Sequence, residues 1–255
     1  MDGGVDMNRT ESYASLETHT ISMDMVRSTI DVDSYDTDTI QLLVSGDDES
    51  VSLMHLEWNN GKLMLSMPMR DRVPNPIAAA WMQIVLRLPR DWKGALTLKS
   101  QSGSISVNGY TGTDFVVSTT SGHIRAEDVE CLTADLHSIS GILLMKNSSC
   151  ETAKLSTVSG NMLGENVKCH TGRLSTVSGS TEIILTAPFQ QLSGNSVSGD
   201  THISVPLRQI NATFKSVTGR ILTNGVSIQE AGPELHFNSV TGNLVIEGND
   251  APQEV

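Results

Sequence analysis

Apolar and small polar residues alternate along the back two-thirds of the chain in a phrase that returns with a fixed step. The phrase ends at Gly103, Gly122, Gly141, Gly160, Gly179, Gly199, Gly219 and Gly242, with steps of 19, 19, 19, 19, 20, 20 and 23. Counted from each glycine, the fifth residue before it is Leu98, Val117, Leu136, Leu155, Leu174, Gly194, Phe214 or Phe237, a core column. The second residue before it is Gln101, Thr120, Ile139, Val158, Val177, Val197, Val217 or Val240; the second after it is Ile105, Ile124, Leu143, Met162, Thr181, Thr201, Ile221 or Leu244. Their apolar character predicts that both columns point inward as well. The third and first residues before each glycine are always Ser or Thr. An apolar residue at minus five and another at minus two breaks a strict alternation, so the pattern predicts a bend between them. There the hydroxyls would bond to backbone and to the next repeat, and glycine would take a corner too tight for a Cβ.

A period this even is the mark of a repeat array, because no single repeat can bury its own apolar face and each must stack on the next. Repeats of this length built from short strands predict an all-β chain: a single-stranded right-handed parallel β-helix, or β-solenoid, with rungs of about 19–20 residues spaced about 4.8 Å apart. Leucine-rich repeats share the period but require a leucine-dense phrase and an asparagine ladder that the sequence lacks. Residues 1–18 read as a disordered segment of low hydrophobicity and 19–95 as irregular strands capping the solenoid. The regular solenoid covers 96–247, and 248–255 read as a flexible tail. In the capping region the runs 29–32, 39–44, 62–67 and 82–88 have strand length and composition, with turns at Ser45-Gly46 and Asn59-Asn60-Gly61. No amphipathic helix is expected; Pro74 and Pro76 keep the stretch 74–81 loop-like.

Composition narrows the partners. The chain of 255 residues carries a formal net charge of −12, which repels nucleic-acid phosphates and anionic lipid, so no nucleic-acid partner is expected. The N-terminus has no basic start followed by an apolar stretch, and no later run is long enough for a transmembrane segment; a cytoplasmic location is the expectation from the sequence.

Three groups of residues have the chemistry to form a site. Cys131, Cys150 and Cys169 each follow a glycine by nine residues, which predicts a vertical thiol ladder. Three thiols in a straight file close poorly around a tetrahedral ion, so the expectation is a buried column of free thiols and no metal or cofactor. Glu182, Asp200, His202 and Arg220 fall within a few repeats of one another and form the best candidate for a surface site. No carboxylate pair recurs and no nucleophile motif is present, so catalytic residues are not expected. The paired Ser/Thr columns, followed at once by glycine, fit a corner better than a flat ice-binding plate. The eight glycines complete the set, as structural corners.

The run Ile84-Val85-Leu86-Arg87-Leu88-Pro89, then Leu96-Thr97-Leu98-Lys99-Ser100-Gln101-Ser102-Gly103, then serial Ser-Thr-Val-Ser-Gly phrases resembles the bacterial and archaeal "putative adhesin" family of β-strand-repeat proteins of unknown function. Trp58-Asn59-Asn60-Gly61-Lys62-Leu63 is similar to that family's less regular first strands, and the resemblance covers about residues 20 to 247. It implies a right-handed β-helix, association with the cell envelope and an adhesive role, and it carries no functional residues. The function expected is a non-catalytic scaffold or adhesin-like surface for a protein or polysaccharide. The alternatives are a rod that self-associates through its ends and, further off, a carbohydrate-active enzyme.

Overall fold

Strand pairing in the computed structural model, which describes residues 6–67 and 82–249, follows the repeat step almost throughout. The regular part comprises β7 (Ala95–Ser102), β8 (Ile105–Asn108), β9 (Thr111–Ser121), β10 (Ile124–Glu127), β11 (Glu130–Ser140), β12 (Leu143–Ser159), β13 (Met162–Ser178), β14 (Thr181–Leu185), β15 (Gln191–Ser198) and β16 (Thr201–Val205). Before it come β1 (Asp6–Ala14), β2 (Thr20–Tyr35), β3 (Thr39–Asp47), β4 (His55–Asn59), β5 (Lys62–Ser66) and β6 (Met82–Pro89). After it come β17 (Gln209–Ser216), β18 (Ile221–Asn224), β19 (Ser227–Ile228), β20 (Glu234–Ser239) and β21 (Leu244–Gly248). Parallel pairs such as Ile105 with Ile124, Ile124 with Leu143 and Leu136 with Leu155 bring like side chains together, so that apolar files run the length of the molecule and bury one another. Leu98, Val117, Leu136, Leu155, Leu174 and Phe237 are all 3% exposed or less. Gly194 stands in this file because the Phe237 ring of the next layer occupies the place where its Cβ would be.

The architecture is all-β but is not the single-stranded right-handed parallel β-helix that the period predicts. The hydrogen-bonded pairs β2–β7–β9–β11–β12–β10–β8 return to β2, closing a ring of seven parallel strands to which the rest are added. Closure follows from length: β2 and β12, of 16 and 17 residues, run round a corner and pair on both sides of it. Pairing is antiparallel at the first end, where β4 lies against β5, β3 against β6, and β1 against β3. The layers also do not rise in chain order. Strand β2 lies between β5 and β6 on one side and β7 and β8 on the other, while β20 and β21 lie between β15 and β16 on one side and β17 and β18 on the other. A first or last strand inserted one layer inward has partners on both edges, whereas the same strand left outermost would leave one row of backbone groups unpaired.

Further differences are local. Residues 6–14, expected to be disordered, form β1, and a 3-10 turn follows at Ser15–Glu17. A six-residue helix, α1 (Asp48–Leu53), is started by Asp47, whose side chain accepts from the Ser50 backbone N–H at 2.9 Å, and Val51 is buried with the core. So short a helix has no periodicity to read. The 74–81 loop lies outside the described residues, as does the tail beyond Asn249.

Candidate binding surface

The three residues leading into each glycine sort differently from the sequence expectation, and the difference creates a surface. Strand alternation continues to the corner without a slip. The hydroxyl three before the glycine therefore points in: Ser100, Thr119, Ser138, Thr157, Thr176, Ser196 and Ser239 are all buried. The aliphatic residue two before it points out. Ile139 is 41% exposed, Val158 38%, Val177 46%, Val197 48%, Val240 43% and Val217 77%, so the inward placement expected for this column is corrected. Space decides the phase, since only a small side chain fits inside beside the glycine edge. Several of the inward hydroxyls find backbone partners there: Ser100 donates to the Ser28 carbonyl at 3.2 Å, Thr119 to that of Gly103 at 3.3 Å, and Ser239 accepts from the Gly242 N–H at 2.8 Å. Those of Thr157 and Thr176 have none among the described residues.

The glycines stack closely along that edge. A Cβ on Gly122, Gly141, Gly160, Gly179, Gly199 or Gly242 would fall on the carbonyl oxygen of the glycine one layer away, nearer than any real contact, and one on Gly103 would fall on the Ser28 carbonyl. On Gly219 it would meet the Gly242 oxygen. Beside them the next residue forms a ladder of side-chain acceptors. Ser104 Oγ accepts from the His123 N–H at 3.4 Å, His123 Nδ1 from that of Ile142 at 3.0 Å, and Asn161 Oδ1 from that of Ser180 at 3.0 Å. Asp200 Oδ1 accepts from the Asn243 N–H at 2.9 Å, and Asn243 Oδ1 from that of Arg220 at 3.1 Å.

This ladder absorbs half of the candidate surface site. Asp200 holds the corner of the next layer, and Arg220 lies a further layer away because Asn243 has been inserted between them. On the neighbouring strands Glu182 is in register with His202, but His202 Nε2 lies 3.2 Å from Glu247 Oε2, and Glu247 also accepts from Asn224 Nδ2 at 2.9 Å. An open depression of about 650 Å3 near the 186–190 turn is lined by His170, Phe189, Gln191, Pro233 and Glu234, with no serine, threonine, cysteine or lysine among its lining residues.

Cys131, Cys150 and Cys169 are successive register partners, buried and free. The hydrogen bond with Cys131, and burial after it, pushes the Cys150 thiol up; burial, with Cys150 as neighbour, pushes Cys169 up to about 12. Thiols held neutral in this way are poor nucleophiles and poor ligands, and the described residues contain no cluster of three or more metal-binding groups.

The outward face of the middle layers is thus ordered in three files. Asp135 pairs with Lys154 at 2.8 Å in the file six before the glycine, His137 Nδ1 with Ser156 Oγ at 2.8 Å in the file four before it, and the aliphatic ridge runs nearest the edge. At about 4.8 Å per layer the ridge from Ile139 to Val217 extends roughly 24 Å.

Residues 18–245 match the family described as Toastrack DUF4097. Among curated proteins none matches the chain by sequence. Solved structures share the fold: a putative adhesin from Bacteroides fragilis (16% identity, TM-score 0.61, covering 95% of this chain and 97% of that one) and a putative lipid binding protein from Parabacteroides distasonis (15%, 0.60, 95% and 97%). A putative adhesin from the latter organism is also similar (14%, 0.56, 96% and 97%). No helix among the described residues is long and apolar enough to cross a membrane.

Proposed function

We propose, because the chain belongs to the Toastrack DUF4097 family, that it is a non-catalytic binding protein of adhesin type whose contact surface is the face carrying the ridge from Ile139 to Val217. The observation that carries this reading is the exposure of that ridge. A contiguous apolar strip on a rigid sheet, rimmed by polar files, is what an interaction site requires, and isolated surface aliphatics are not. Binding would be spread over several layers, each contributing little alone.

The face favours a protein over a glycan. Its outward residues on the middle layers are Asp135, His137 and Ile139; Lys154, Ser156 and Val158; Arg173, Ser175 and Val177. Apart from the His137 imidazole, which is engaged with Ser156, none carries a ring on which a sugar could stack, while β-branched side chains pack well against another apolar protein surface. Solved structures of the fold described as putative adhesins agree with such a role, and the protein would act at the cell envelope.

The test compares the protein with the triple variant Val158→Thr/Val177→Thr/Val197→Thr on arrays of envelope and matrix proteins and on a glycan array. Binding to at least one protein, weakened tenfold or more in a variant that melts normally, is expected. Protein binding indifferent to the ridge, or glycan binding alone, would refute the assignment.

A further inference from the structure

The two ends of the stack finish differently. At the first end β4 covers β5, and β3 and β1 cover β6. At the other end β18 pairs only with β21, and β17 pairs with β20 and, over Gln209 and Ile210 alone, with β19. From Asn211 to Ser216 and from Ile221 to Asn224 no described strand lies on the outer edge. Asn211 donates inward to the Pro233 carbonyl at 2.9 Å, so by alternation Ala212 and Phe214 turn their N–H and C=O groups away from the body. Phe214 and Ala212 pack on the core while remaining partly exposed, which leaves an apolar shelf beside a row of backbone groups that have no strand partner among the described residues.

The strands left outermost at this end are locally basic, while Glu230 follows on the turn into β20 and Glu234 opens that strand. The sequence from 206 to 229 carries Arg208, Lys215 and Arg220 with no carboxylate, in a chain of net charge −12. Two such ends facing each other would bring together the Lys215 and Arg220 charges of both copies. The covered end of another molecule fits no better, because it is stepped, with one added strand below β5 and two below β6. We propose that the free edge of β17 and β18 is a strand-addition site that takes an extended acidic segment of a partner protein as one more layer. Backbone hydrogen bonds from Ala212 and Phe214 supply the register, the shelf takes an apolar residue, and Lys215 with Arg220 selects carboxylates on the outward positions. The site is separate from the lateral ridge, and each can fail without the other.

The probe is an eight-residue peptide, Asn-Ala-Glu-Phe-Glu-Ser-Val-Thr, which copies residues 211–218 with glutamate in place of Thr213 and Lys215. Its partner has lysine at both places. Titration calorimetry should show the acidic peptide binding at least tenfold tighter than the basic one, more weakly as salt is raised, with new amide-exchange protection at Ala212 and Phe214. Lys215→Glu should reverse the preference. Ala212→Pro, which removes one outward N–H and no inward one, should abolish binding while the melting temperature stays within a few degrees. Failure of the acidic peptide to saturate at millimolar concentration, equal affinity for both peptides, or binding that survives Ala212→Pro would each overturn the proposal. So would self-association in sedimentation that Ala212→Pro removes, because the occupant would then be a second copy.

Discussion

Two files of residues run side by side along this molecule, two positions apart in every repeat, and have opposite tolerances. The glycine edge is the tightest place in the stack: from Gly122 to Gly199 each backbone carbonyl fills the space where the next glycine would carry a Cβ. The aliphatic ridge beside it touches little, since Val158, Val177 and Val197 are each 38–48% exposed. One file sets the spacing of the layers, and the other is the surface proposed for a partner. Apolarity alone does not mark a core position; the space available inside does.

The largest effect should come from the edge. Gly160→Val places a branched side chain against the Gly141 carbonyl and is expected to cost on the order of 4 kcal/mol or to prevent folding. A variant that melts normally would show that the edge yields. Leu155→Ala, in the central file at 2% exposed, should destabilise by about 3 kcal/mol in urea denaturation, through lost burial and the cavity left behind. Alkali provides a graded test of the buried thiols. The folded chain raises Cys169 from 9.0 to about 12, so the neutral thiol contributes stability that is whole below pH 9 and is lost as pH rises from there towards 12. The midpoint should therefore fall across that window, and Cys169→Ala should flatten the slope.

Smaller effects lie just inside and outside the edge. The buried hydroxyls of Thr157 and Thr176 have no hydrogen-bond partner among the described residues, so Thr157→Val, of the same shape, should stabilise by about 1 kcal/mol. A loss instead would mean that the hydroxyl is satisfied. Lys154→Ala removes an exposed ion pair with Asp135 and should change the melting midpoint by less than about 0.5 kcal/mol.

The period, the glycine edge and the file five before it were legible because each imposes one residue type at one spacing. The phase of the ridge is not legible, since valine suits a core column and an exposed strand face alike. The Thr120 and Gln101 that open the same file were the contrary signal. A second corner lies six residues after the glycine. Asp128, Asn147 and Asn166 have φ between 48° and 54°, with Gly109 at 76° in the same register, and all three residue types tolerate a left-handed backbone. Their six-residue offset from the glycine was visible in the sequence. The acceptor ladder was hidden by its mixed composition of Ser, His, Asn and Asp, which share only an acceptor. Insertion of the last repeat between its two predecessors leaves no local trace, because Gly219 and Gly242 carry the same phrase and only the step of 23 sets them apart. The antiparallel cover at the first end likewise depends on which edges need partners, a tertiary requirement that no single segment encodes.

The claim on which the rest depends is that the ridge belongs to the surface and not to the fold. Equilibrium urea denaturation of Val158→Thr/Val177→Thr/Val197→Thr tests it directly, because threonine keeps the branched shape and changes only the polarity. The account predicts a midpoint within about 0.5 kcal/mol per site of the original protein, as for other surface changes. A loss of 1–3 kcal/mol at each site, the cost of burying unpaired hydroxyls, would return the ridge to the core and contradict the account.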